Sequence, residues 1–141
     1  MRLAADASAL VGELLRKRGQ ALLAHSALEL FVADVPWDEA QHELARRLHA
    51  MAAQGRISPD AAAALLASCK AVVSAYVTLV PEPLYRAFEA AARKRIPRDP
   101  ADWPTVAVAL AFNAGIWTND ADFLGCGCPT WTTDTLLVEL G

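Results

Sequence analysis

Residues 2–19 read RLAADASALVGELLRKRG, and the change of pattern inside this stretch decides the fold. From Arg2 to Asp6 the chain is a short, mostly apolar run that closes on a carboxylate. From Ala7 onward Leu10, Leu14 and Leu15 fall on one helical stripe, and Gly19 stands where a helix would stop. The expectation is a strand over 2–6 that ends at Asp6 and runs at once into a helix over 7–19.

The same alternation continues outward. ALELFVAD (27–34) offers a second strand, weakened by its Ala/Leu content. PWDEAQHELARRLHAMAAQG (36–55) predicts a long helix, with Pro36 at its start, Ala40, Leu44, Leu48 and Met51 at helical spacing, and Gly55 at its end. SPDAAAALLASCKAVVSAY (58–76) predicts another, capped by Ser58 with Pro59 at its first position. VTLV (77–80) reads as a strand, EPLYRAFEAAARKR (82–95) as a helix, and DWPTVAVALAFNAG (102–115) as a helix capped by Asp102. GIWT (115–118) is a strand, and TWTT (130–133) a last edge strand before a short terminal helix. Strands alternating with helices argue for a mostly parallel sheet covered on both faces, a three-layer α/β/α sandwich. No repeat, low-complexity tract or linker interrupts the chain, so one domain over 1–141 is expected.

Composition narrows the functional classes. The 141 residues are 55% hydrophobic, enough for a packed core, and mean hydropathy is +0.24. No apolar run approaches the ~18 residues of a spanning helix. MRLAADASAL carries an aspartate where a secretory leader is apolar, so a cytoplasmic chain is expected. Three cysteines, Cys69, Cys126 and Cys128, do not make a disulfide framework. A net charge of −3 excludes binding of nucleic acid by bulk charge. Within that average, Arg46, Arg47 and Arg56 cluster, as do Arg93, Lys94, Arg95 and Arg98. These are either solvated helix faces or a surface for a phosphate backbone.

Ligands of parallel sheets gather at the carboxyl ends of the strands. Asp6 ends the first strand, Asp120 and Asp122 follow the GIWT strand in IWTNDADF (116–123), and Asp102 opens the helix feeding that strand. Each acid has a structural explanation. Asp6 and Asp102 are helix caps, the latter acting on the Thr105 amide because Pro104 has none. Asp120 suits an Asx turn, and Glu43 can pair with Arg47 at i, i+4. Brought together, however, the carboxylates would repel without a counter-ion. Oxygen donors of this kind suit Mg²⁺ or Mn²⁺, which serve phosphodiester hydrolysis.

DASAL at the first strand end, HELARRL followed by GRIS, RDPADWPTVAVALA, and IWTNDADF before PTWTTD together resemble the PIN-domain family, which includes VapC-like toxin ribonucleases of toxin–antitoxin systems. The resemblance spans nearly the whole chain. It implies an α/β/α fold with a central parallel sheet and a metal-dependent endoribonuclease using Mg²⁺ or Mn²⁺. By position it implies Asp6, Glu43, Asp102 and Asp120 as the metal-binding, catalytic acids. Ser8 and Thr118 would support them through hydrogen bonds, with Asp122 and Asp99 in an outer shell. Glu39, one helical turn before Glu43, is the alternative second acid. Arg46, Arg47, Arg93, Arg95 and Arg98 would steer RNA. An antitoxin protein and a second copy of the chain are the partners implied. A non-catalytic PIN-like binding or assembly module is the rival reading.

Other features carry less. Cys126 and Cys128 lack the further ligands of a zinc site, because His25, His42 and His49 lie in the other half of the chain. No GxGxxG or P-loop motif is present. A haloacid-dehalogenase-like phosphatase wants an aspartate at position 8, where Ser8 stands, and a receiver wants a late strand-end lysine that Lys17, Lys70 and Lys94 do not supply. Trp103, Trp117 and Trp131 read as core or sheet residues, and an exposed Trp37 or Trp131 would offer a base-stacking platform.

Overall fold

The computed structural model describes residues 1–141. Five strands, β1 (Arg2–Ala5), β2 (Glu29–Ala33), β3 (Val77–Val80), β4 (Gly115–Trp117) and β5 (Thr130–Trp131), form one all-parallel sheet in the order β3-β2-β1-β4-β5. Seven α-helices flank it: α1 (Ala7–Leu14), α2 (Lys17–Leu23), α3 (Asp34–Ala53), α4 (Pro59–Tyr76), α5 (Glu89–Arg95), α6 (Trp103–Phe112) and α7 (Thr133–Leu140).

The strand alternation sorts the core into two layers. Leu3, Ala5, Leu30, Val32 and Trp117 face a core filled by α1, α2, α3, α4 and α7. Ala4, Phe31, Ala33, Val80 and Ile116 face the other, filled by Tyr85, Ile96 and helices α5 and α6. Burial on both faces explains why the strands read as short apolar runs without polar alternation. The three-layer α/β/α expectation from the sequence is what the chain adopts.

Local chemistry sets the helix ends. Ser58 Oγ accepts from the Ala61 amide at 3.0 Å and caps α4. Helix α3 ends in a Schellman turn: the Gly55 amide donates to the Ala52 carbonyl, the Arg56 amide reaches back to Met51, and Gly55 takes a positive φ of 73°. Thr132 and Thr135 form a reciprocal capping box at α7.

Three local expectations are corrected. Gly19 does not stop the first helix. That helix ends at Leu14, and Gly19 lies inside α2, packed against the Glu13 backbone. The segment 82–95 is two 3-10 turns before a short α5, the chain leaving helical dihedrals at Tyr85 (φ −121°), whose hydroxyl is held by Asp34 at 2.6 Å. Asp102 precedes α6, but its side chain makes no cap bond. Residues 100–102 already form a 3-10 turn with the Asp102 amide donating to the Asp99 carbonyl at 3.2 Å, which leaves the Asp102 carboxylate free.

The sheet order places the site. The chain moves outward from β1 to β2 and β3, then crosses back to put β4 on the other side of β1. The connections leaving β1 and β4 diverge at this reversal and open a crevice between the two strand ends. Asp6 follows β1, and Thr118 to Asp120 follow β4.

Candidate functional site

The crevice is tied together by one hydroxyl. The Thr118 side chain is buried, donates to Asp6 Oδ2 at 2.8 Å, and accepts from the Asp120 amide at 3.0 Å. A hydroxyl has one hydrogen, so donating to Asp6 leaves only its lone pairs for Asp120. Asp6 also caps α1, Oδ1 accepting from the Ser8 amide at 3.4 Å. Ser8 therefore contributes its backbone amide rather than its hydroxyl. The Asp120 carboxylate accepts from the Asp122 amide at 2.9 Å, an Asx turn that shapes the loop after β4.

Asp6, Ser8, Glu39, Glu43 and Asp102 line one open cavity of about 260 Å³, with Arg46 and Arg47 on its rim. A larger cavity of about 350 Å³ lies between α3 and α4, but its lining is mostly apolar and carries no carboxylate. Chemistry selects the smaller one. Burial pushes the Asp6 carboxyl above its ordinary range; hydrogen bonds from Thr118 and Ser8 oppose this, and the Asp120 charge adds to it. Asp102 is driven up to about 7, first by burial, then by the adjacent Asp99 carboxyl and by the charges of Asp6 and Asp120. These acids feel one another, and no arginine, lysine or histidine forms an ion pair with Asp6, Asp99, Asp102 or Asp120. Unopposed carboxylates at a strand-end crevice are a suitable donor set for a hard divalent cation.

Glu43 is set differently. Its oxygens accept from Arg46 Nη2 at 2.6 Å and Arg47 Nε at 3.1 Å, and these guanidiniums hold its carboxyl below the usual range. Glu39 lines the same cavity and forms no ion pair. With the side chains set this way, no three acidic, histidine or cysteine side chains converge closely enough to hold a single ion. The oxygen chemistry of the lining acids suits a divalent cation, and α3 contributes two carboxylates, Glu39 and Glu43, to the same cavity.

The second basic cluster has internal work. Arg93 pairs with Glu89 at 3.3 Å and lies over the Trp103 ring. Arg95 donates to the Cys126 carbonyl at 3.0 Å. Arg98 donates to the Ala121 carbonyl at 3.3 Å and the Leu124 carbonyl at 3.4 Å, and its Nε lies 3.8 Å from Asp122. None of the three lines the acidic cavity. Arg95 and Arg98 fasten the loop after β4 to α5 and the turn beyond it. Trp37 is buried, which removes it as a stacking platform, and Trp131 is half-buried.

Two residues passed over in the sequence position that loop. Asn119 accepts from the Thr133 amide at 3.2 Å, and the buried Thr133 hydroxyl accepts from Trp117 Nε1 at 3.0 Å. The only signal for them was the polar pair between Trp117 and Asp120 and the threonines of TWTT.

Thr118→Val tests the hydroxyl bridge. Valine keeps the shape but leaves Asp6 Oδ2 without a donor and the Asp120 amide without an acceptor. A loss of about 1–3 kcal/mol in chemical denaturation is expected. NMR titration should find Asp6 titrating still higher, because Thr118 is the strongest influence holding it down. An unmoved Asp6 would mean the bridge is not formed in solution.

An all-parallel α/β chain with its acids at the sheet reversal belongs to the class of open α/β folds that bind ligands at the strand-end crevice. The family model described as PIN domain matches residues 5–141, and the chain belongs to the PIN-domain family. PIN domains are nuclease-like and generally use divalent metals. No curated protein matches the chain. No helix is long and apolar enough to cross a membrane.

Proposed function

We propose that residues 1–141 act as one PIN domain and as a Mg²⁺- or Mn²⁺-dependent endoribonuclease that hydrolyses RNA phosphodiester bonds. The observation that carries this reading is that Asp6, Asp102 and Asp120 feel one another's charge at the crevice while no cationic side chain pairs with any of them. Asp6, Glu43, Asp102 and Asp120 would hold the cation, with Glu39 the alternative to Glu43. When bound, the cation supplies Lewis-acid chemistry for the hydrolysis. Thr118 fixes the direction of the Asp6 carboxylate, Asp99 and Asp122 flank the acids, and Arg46 and Arg47 attract the RNA backbone to the rim. A role as the toxin of a toxin–antitoxin pair, a protein antitoxin, a homodimer and a cytoplasmic setting rest on the family resemblance.

The test is cleavage of single-stranded and structured RNA with Mn²⁺ or Mg²⁺, with and without EDTA, by the natural protein and by Asp6→Asn. Cleavage that needs metal and is lost in the variant is expected. Equal cleavage by both proteins would overturn the assignment. One observation favours the rival, a non-catalytic binding module: Glu43 is committed to Arg46 and Arg47. That reading requires that Mn²⁺ does not bind.

A further inference from the structure

We propose that Arg46 and Arg47 form a latch on Glu43 that RNA phosphates open, so that RNA binding frees Glu43 for the divalent cation. The proposal rests on the ribonuclease reading above and concerns how that centre is completed. Both oxygens of Glu43 are taken, one by each guanidinium, at 2.6 and 3.1 Å. The arginines stand three and four residues after Glu43, on one face of α3, and all three residues line the cavity that contains Asp6 and Asp102. The rim's two cations are thus spent on the acid of α3, while the acids at the strand ends have none. In this arrangement no three of the acids form a group that could hold an ion.

The latch is built to open. The side chains of Arg46, Arg47 and Glu43 are 72%, 53% and 42% exposed, and exposed ion pairs of this kind contribute little net stability. A guanidinium binds a phosphate with the same fork it offers a carboxylate. A phosphate reaching the rim draws the arginines away and leaves Glu43 charged beside Asp6 and Asp102. A divalent cation then relieves all three. By linkage, RNA must tighten cation binding by the same factor that the cation tightens RNA binding.

The experiment measures Mn²⁺ affinity by electron paramagnetic resonance for four proteins: natural, Arg46→Gln/Arg47→Gln, Glu43→Gln, and the triple variant. The substituted side chains are exposed enough that all four fold, which circular dichroism verifies. Without RNA, the double variant is expected to bind Mn²⁺ at least ~5-fold more tightly than the natural protein, the low end of ordinary coupling between sites. That gain must vanish when Glu43 is also glutamine, because a mere change of local charge would persist. Adding a 2′-O-methyl RNA decamer, with the decamer's own Mn²⁺ binding subtracted, should tighten Mn²⁺ binding in the natural protein and not in the double variant. The latch is overturned by equal affinities in the natural protein and double variant, by a gain that survives Glu43→Gln, or by no tightening with the decamer. Absence of Mn²⁺ binding in all four proteins overturns the metal reading itself, a separate result.

Discussion

Asp102→Asn is expected to abolish metal-dependent RNA cleavage and, in the same protein, to raise the melting temperature of the metal-free chain at neutral pH. The loss of activity should be on the order of 100-fold or more, since even groups that only orient metal ligands cost ~10–100-fold. The gain in stability follows from charge. The Asp102 carboxyl ordinarily titrates near 3.8 and is pushed up to about 7 in the folded chain, by burial first and then by Asp99, Asp6 and Asp120. Between those values the folded protein holds a proton that the unfolded chain has released. Its contribution is fully present below about pH 4 and is lost as pH rises through about 7. Asparagine carries no proton to lose, so the variant omits this decline. Melting curves at about pH 4 and about pH 8 should show the natural protein losing more stability than the variant over that interval. Asp6 is shifted in the same direction, so the variant keeps part of the slope. Added Mn²⁺ should reverse the order at high pH by binding the natural fold more tightly. A variant that melts lower than the natural protein at about pH 8 without metal would mean the carboxylates are not in mutual repulsion.

Gly19→Ala is expected to be among the most damaging single-methyl substitutions in the chain. A Cβ at Gly19 would fall 2.1 Å from the Glu13 carbonyl oxygen and 2.6 Å from its carbonyl carbon. These atoms belong to the backbone of α1 and cannot swing aside. Alanine would gain up to about 1 kcal/mol of helix propensity inside α2. The overlap outweighs that, since forced overpacking costs about 1–3 kcal/mol and more where backbone must move. A fall in melting temperature of about 5–10 °C is the expected size. The displacement also reaches the site, because α1 begins at the Asp6 cap and ends beside Glu13, which is itself buried and paired with Arg18 at 2.9 Å. Thermal denaturation of the variant, with Mn²⁺ affinity as a second readout, checks both effects. A variant that melts within about 1 °C of the natural protein would show that α1 and α2 separate freely.

The misplaced reading of Gly19 shows where sequence reasoning stopped. Glycine marks both helix ends and close approaches between helices, and only the packing of α2 on Glu13 tells the two apart. At Gly55 the same reasoning succeeded, because a local backbone turn decides that position. The strands were legible although they lack alternation, because Asp6, Pro59 and the glycines punctuate the chain at the right intervals. The nearness of Asp6 to the loop after β4 followed from the topology rule alone. The partners of Glu43 were half legible: the i, i+4 spacing to Arg47 was visible, but the added bond from Arg46 depends on rotamers. The release of the Asp102 carboxylate from capping was hidden, because it depends on the 3-10 turn over residues 100–102. Arg95 and Arg98 bind carbonyls 31 and 23 residues away, and no local pattern announces such contacts.

The bond from Thr118 to Asp6 joins residues 112 positions apart, across the two strands at the centre of the sheet. During synthesis Asp6 leaves the ribosome 112 residues ahead of Thr118. At ~5–20 residues per second, that interval is roughly 6–22 s. Closing so long a loop is also the slow kind of folding step. Nascent chains and truncated products that stop before β4 thus carry Asp6, Glu43 and Asp102 without the Thr118 bond that ties the crevice together.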